Sequence, residues 1–166
     1  MKNKKIAQTA LLAALAIVFG YVESLFPLPI PVYGVKVGIS NAVILVAIYM
    51  LGGYAPWGIM FVKTLCSALL FQGLSAFLYS VSGGILSVLF MYILKKSGKF
   101  SIVGVSAVGG VMHNAGQLIC AGLVLQTINV MYYLPILIVC GVIAGVIIGI
   151  VARLILKRIG DGLTFL

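Results

Sequence analysis

The chain has 166 residues, 63% of them hydrophobic and only 8% charged, with a mean hydropathy of +1.28. A water-soluble domain carries about 25% charged residues, so this composition excludes an aqueous fold and makes lipid the solvent for most of the chain. The formal net charge of +9 is not a nucleic-acid signal, because the basic residues sit in clusters that flank apolar runs.

A membrane span needs about 20 apolar residues, so the length allows up to six spans joined by tight loops. The expected fold class is therefore an all-α integral membrane protein: one domain over residues 1–166, a compact bundle of six transmembrane helices. Span one is expected at 6–26, after Lys2, Lys4 and Lys5. Its apolar run is longer than a secretory signal's core, which makes it an uncleaved span. Ala7, Ala10 and Ala14 recur along one side at spacings of three and four. Such a small-residue face packs within its own bundle or receives another protein. The next stretch, FPLPIPVYG over Phe26–Gly34, breaks any helix with its prolines and reads as a stiff crossing able to cap a cavity.

The remaining spans are expected at 37–51, 57–71, 76–94, 104–125 and 134–156. They are separated by Gly52–Pro56, Gln72–Ser75, Lys95–Lys99 and Gln126–Tyr133. With the N-terminus in the cytoplasm, six spans place Lys2, Lys4, Lys5, Lys95, Lys96, Lys99, Arg153, Lys157 and Arg158 inside, and Lys36 alone outside. The positive-inside rule then sets both termini in the cytoplasm. Cys66, Cys120 and Cys140 lie within apolar runs and read as small packing residues rather than a disulfide framework.

Polar side chains at membrane depth need a partner or a purpose. Glu23, near the outer end of span one, is either solvated at the interface or paired with Lys36 or Lys63. Lys36 begins span two, where it reaches lipid phosphates or guards a pocket mouth, and Asn41 lies about a turn deeper. Lys63 sits six residues into span three, about 9 Å along its axis, and either snorkels or faces the interior; Ser67 shares its face. On span five, His113 and Gln117 point the same way and Asn114 is rotated by about 100°. They either bond neighbouring helices or line a ligand site. Gln72, closing span three, completes the candidate binding set of Glu23, Lys36, Asn41, Lys63, Gln72, His113, Asn114 and Gln117. With more cations than anions, that set suits an anionic small molecule. Tyr21, Tyr33, Trp57 and Tyr79 are candidates for its flat or apolar part.

A lone histidine without an acidic cluster predicts no metal site. No phosphate-binding G-x-x-x-x-G-K-S/T occurs, and the only acids are Glu23 and Asp161, too few for aspartate-rich prenyl-transfer chemistry. No catalytic residue and no cofactor is expected. The chain reads as a binder or a path rather than an enzyme, one that takes its energy from elsewhere if it moves solute uphill.

The runs ALLAALAIVFGYVESLFPLPIPVYGVKVGISN, LFQGLSAFLYSVSGG and SIVGVSAVGGVMHNAGQL resemble the Gx transporter family, also labelled heptaprenyl diphosphate synthase component I. That family is similar to the substrate-binding S components of energy-coupling factor transporters, six-helix proteins of the prokaryotic cytoplasmic membrane. The resemblance implies capture of a vitamin-like solute from outside and docking on a coupling subunit driven by two separate ATPases. It implies that docking uses the A-x-x-x-A pattern that Ala10 and Ala14 match. An accessory role in polyprenyl diphosphate or quinone synthesis is the alternative, and a role beside flavin- or quinone-linked extracellular electron transfer is a third reading.

Overall fold

A computed structural model describes residues 2–25 and 38–163. Helix α1 covers Lys2–Leu25, α2 Ile39–Met50, α3 Ala55–Ser67, α4 Leu74–Ser97, α5 Ile102–Leu125 and α6 Leu134–Leu163. A π-helical turn, Ala68–Gln72, prolongs α3, and a 3-10 turn, Ile128–Tyr133, precedes α6. Lipid offers backbone groups no hydrogen-bond partner, so each apolar run must satisfy its own. The breaks fall where that is locally possible. Pro56 opens α3 where no N–H is needed, Gly98 closes α4 in the left-handed conformation, and the Ser101 hydroxyl accepts from Gly104 N at 3.1 Å to start α5. The proline-rich crossing Phe26–Gly34, Lys36 and the last three residues lie outside the described residues.

The result is an all-α multi-pass membrane bundle. Five helical segments among the described residues are long and apolar enough to cross a membrane: Asn3–Leu25, Ala55–Gln72, Leu74–Ser97, Ile102–Leu125 and Ile128–Gly160. A sixth apolar helix, α2, stands where the span at 37–51 is expected and is shorter than these five. α2 has 12 residues, about 18 Å, which is short of the roughly 30 Å hydrocarbon core. It forms the centre of the molecule. Ala42 through Ile48 are all buried, and Ala16 of α1, Ile59 and Met60 of α3, Val88 and Met91 of α4, Val105 of α5 and Ile148 and Ala152 of α6 close around them. The other helices turn large apolar side chains outward, such as Leu11, Leu123 and Ile147, as a lipid-facing surface does.

Charged side chains hold both ends of α2. At its start, the Glu23 carboxylate accepts from Ile39 N at 2.5 Å and from the Ser40 hydroxyl at 2.8 Å. At its end, Lys95 Nζ donates to Ile48 O at 2.6 Å and lies 4.8 Å from the Tyr49 ring centroid. Tyr92 donates to Gly53 O at 2.6 Å beside the stacked Trp57. The 51–54 turn and the C-terminal end of α4 therefore share one end of the bundle.

Helix α5 packs mainly against α4 and α6, through glycines. A Cβ on Gly116 would lie 2.7 Å from Ser82 O and 2.9 Å from Gly83 Cα, and one on Gly141 would lie 2.9 Å from Val111 N. These crossings leave no room for a side chain. Gly116→Val is expected to destabilise the bundle by about 1–3 kcal/mol, read as a lower melting temperature in detergent. Gly58→Ala, with nothing within 4 Å, is expected to leave it unchanged. Equal melting of the two variants would refute the close α4–α5 crossing.

Candidate functional site

Where α1 ends and α2 begins, the polar residues of five helices surround a cavity of about 40 Å³. That is space for about three water-sized groups. Glu23 comes from α1, Ser40 and Asn41 from α2, Lys63, Thr64 and Ser67 from α3, Gln72 from the π turn, Ser80 from α4, and His113, Asn114 and Gln117 from α5, with Gly20 and Gly38 completing the wall. The cavity thus gathers Glu23, Asn41, Lys63, Gln72, His113, Asn114 and Gln117 of the sequence-derived set; Lys36 lies outside the described residues.

Each helix presents its pair by register. Lys63 and Ser67 are four residues apart on α3, as are His113 and Gln117 on α5. Gln72 arrives differently. In a continuous α-helix it would sit about 140° around the axis from Ser67. The i→i+5 bond from Gly73 N to Ala68 O (2.9 Å) widens the last turn and brings it back to the cavity. Gly73 then ends the segment at φ 82°, a conformation that favours glycine. On the other wall, Gly83 lets α4 lie flat against α5: a Cβ there would be 2.6 Å from His113 O and 2.9 Å from Gln117 Cγ.

Several readings that the sequence leaves open differ in the structure. Glu23 is not simply solvated at the interface; its carboxylate accepts hydrogen bonds from the backbone and hydroxyl of α2, including Ser40 N at 3.4 Å. A carboxylate is favoured at that helix end by the free N–H groups and the dipole. Lys63 faces the interior rather than snorkelling and donates to Asn41 Oδ1 at 3.1 Å. Asn114 lines the cavity, yet its amide donates to Leu137 O of α6 at 2.8 Å, so part of its role is to join helices. Among the described lining residues Glu23 and Lys63 carry opposite charges; Lys36, the other cation of the expected set, lies outside them. Of the aromatic candidates, Tyr21 packs edge-on against Phe71, Trp57 stacks on Tyr92, and neither they nor Tyr79 line the cavity.

Ser40, Thr64, Ser67 and Ser80 are lining residues absent from the sequence-derived set. The spacing of Lys63 and Ser67 marks a shared face, but serines in apolar helices usually serve packing or back-bond to their own helix. Among the described residues, no three His, Cys, Asp or Glu side chains gather in a group.

The sequence pattern of one protein family, heptaprenyl diphosphate synthase component I, matches residues 12–155. That stretch holds every residue lining the cavity. The chain belongs to the heptaprenyl diphosphate synthase component I family. No curated protein and no solved structure matches it. For this member of the component I family, the cavity wall therefore has to be interpreted from its own side chains.

The bonds of Glu23 to α2 are expected to be structural. Glu23→Ala should destabilise the protein by about 1–3 kcal/mol, and Glu23→Gln, which keeps an acceptor oxygen, by less. Thermal unfolding in detergent measures both. Wild-type stability in Glu23→Ala would remove the carboxylate from its place at the start of α2.

Proposed function

We propose that the chain is a non-catalytic membrane subunit of polyprenyl diphosphate or quinone synthesis, and that its internal cavity holds the small polar end of an amphiphilic ligand. The observation that carries this reading is the convergence of polar side chains from five helices on one cavity inside an apolar bundle. Lipid gives a helix no reason to keep such groups at depth, and in membrane proteins they mark binding sites and pathways. The cavity's volume of about 40 Å³ suits a head group better than a whole vitamin-sized molecule. The family match supports the connection to prenyl diphosphates. In this reading the subunit holds the ligand and a separate soluble synthase performs the chemistry.

A second reading has its own support. Ala7, Ala10 and Ala14 are exposed on α1, while Ala16 is fully buried against α2 and the core. The small-residue face is thus directed away from its own bundle, which favours docking of another membrane protein and the S-component role in ATP-driven uptake. Purification of the full-length chain in mild detergent separates the two. Capture of a soluble prenyl synthase, unaffected by Ala10→Trp/Ala14→Trp, is the result expected. Capture of a coupling subunit with two ATPases, lost in the double variant, would replace the first reading with the second.

The membrane is taken to be the cytoplasmic membrane of a prokaryote, with both termini inside. The 51–54 turn, Lys95 and Lys96 share one end of the bundle, and the positive-inside rule makes that end cytoplasmic. A cysteine at Ser97, in a chain with Cys66, Cys120 and Cys140 replaced by alanine, should resist an impermeant maleimide in intact cells and react after lysis. Reaction in intact cells would reverse the orientation.

A further inference from the structure

Four hydroxyls line the cavity, and their bonds differ. Ser40 donates to Glu23 Oε2 at 2.8 Å, and Thr64 folds back onto Met60 O at 2.7 Å, as hydroxyls in apolar helices commonly do. Ser80 is only half-buried. Ser67 is 3% exposed, and its Oγ has no hydrogen-bond partner among the described residues. It does not make the fold-back to Lys63 O that Thr64 makes to Met60 O. Native proteins rarely leave a buried hydroxyl in that state, and where they do a functional role is among the few explanations.

The surroundings of Ser67 favour that explanation. Gly20 of α1 faces the hydroxyl: a Cβ on Gly20 would come within 3.3 Å of Ser67 Oγ. Both residues belong to the cavity wall, so glycine keeps open the space before the oxygen. Lys63 lies one turn before Ser67, and the π turn begins at the residue after it, carrying Gln72 to the same cavity. One edge of α3 therefore presents an ammonium, a hydroxyl and an amide in succession.

We infer that Ser67 anchors a compact oxyanion group of the ligand, a carboxylate or a phosphate. In this arrangement Ser67 Oγ donates to one oxygen, Lys63 supplies the positive charge and Gln72 is a further donor. A group with two or more oxygens is the acceptor that a linear set of three donors suits, and one such group fits the available volume. This assignment rests on the cavity being a ligand site, and it adds the chemical class of the group bound and the residue that recognises it.

The test uses the full-length chain in lipid nanodiscs, with inorganic phosphate and sodium acetate as separate probes and the melting temperature as readout. One of the two anions is expected to stabilise the wild type, and which one does so separates a phosphate from a carboxylate ligand. Ser67→Ala should weaken that anion's apparent affinity about tenfold. Its melting temperature without anion should be unchanged or higher, since no bond is lost. Gly20→Ala, which narrows the space before the hydroxyl, should weaken binding in the same direction. If wild type and Ser67→Ala respond equally, the Ser67 assignment fails while the ligand site stands. If Ser67→Ala melts lower without anion, the hydroxyl is structural and the assignment fails. If neither anion stabilises the wild type, the oxyanion site is excluded.

Discussion

The structure depends on how a short helix is kept inside an apolar bundle. The ends of any α-helix leave N–H and C=O groups unsatisfied, and α2 buries Ala42 through Ile48 within the bundle. Glu23 reaches from α1 to the N-terminal donors and Lys95 from α4 to a carbonyl near the C-terminus. The signs match the helix dipole at both ends. Desolvating a charge is unfavourable unless it is paired or well hydrogen-bonded. Each of these charges is bonded to backbone, and Lys95 also faces the Tyr49 ring. The two contacts fix α1, α2 and α4 at set heights relative to one another, and the core of α2 fills the space between them.

Around that centre, glycines set how closely the outer helices approach. Gly83 and Gly116 bring α4 and α5 almost backbone to backbone, and Gly141 does the same for α6 against α5. The same contact aims the functional face, because the helix surface that packs on Gly83 carries His113 and Gln117. The amide of Asn114 then ties α5 to the α6 backbone. Packing and site are therefore not separable on α5: its orientation about its own axis is set by residues within one turn of those that line the cavity.

Much of this was legible in the sequence. Apolar runs and glycine- or lysine-rich breaks mark six helical segments, and polar residues within apolar runs mark most of the cavity wall. Three features were not legible, for physical reasons. Periodicity cannot distinguish a helix buried by protein from one facing lipid, since both are apolar all round, so the enclosure of α2 by the other helices does not show in its sequence. The π turn has no local signature in ALLFQ, and without it Gln72 falls on the wrong side of α3. The partners of Glu23 and Asn114 are mainly backbone groups on other helices, at Ile39, Ser40 and Leu137, and backbone acceptors and donors look the same at every position of a sequence.

The location of the cavity follows from the same hydrogen-bond requirement that shapes the bundle. Irregular backbone at membrane depth is tolerated only where it is buried in protein or lines a cavity. Two irregularities meet at this cavity. α2 starts from Gly38 at φ 77°, and α3 passes into a π turn that ends at Gly73 at φ 82°. Each break frees or redirects backbone groups, and polar side chains are needed nearby to meet them. Glu23, Ser40 and Asn114 serve that need by bonding elements of the bundle together. Ser67 does not, because its hydroxyl is buried beside them without a partner among the described residues. A bundle selected for stability alone would place alanine there, because removing an unsatisfied buried hydroxyl costs little and often stabilises. The presence of serine at that point is therefore better explained by what the cavity receives than by what holds the helices together.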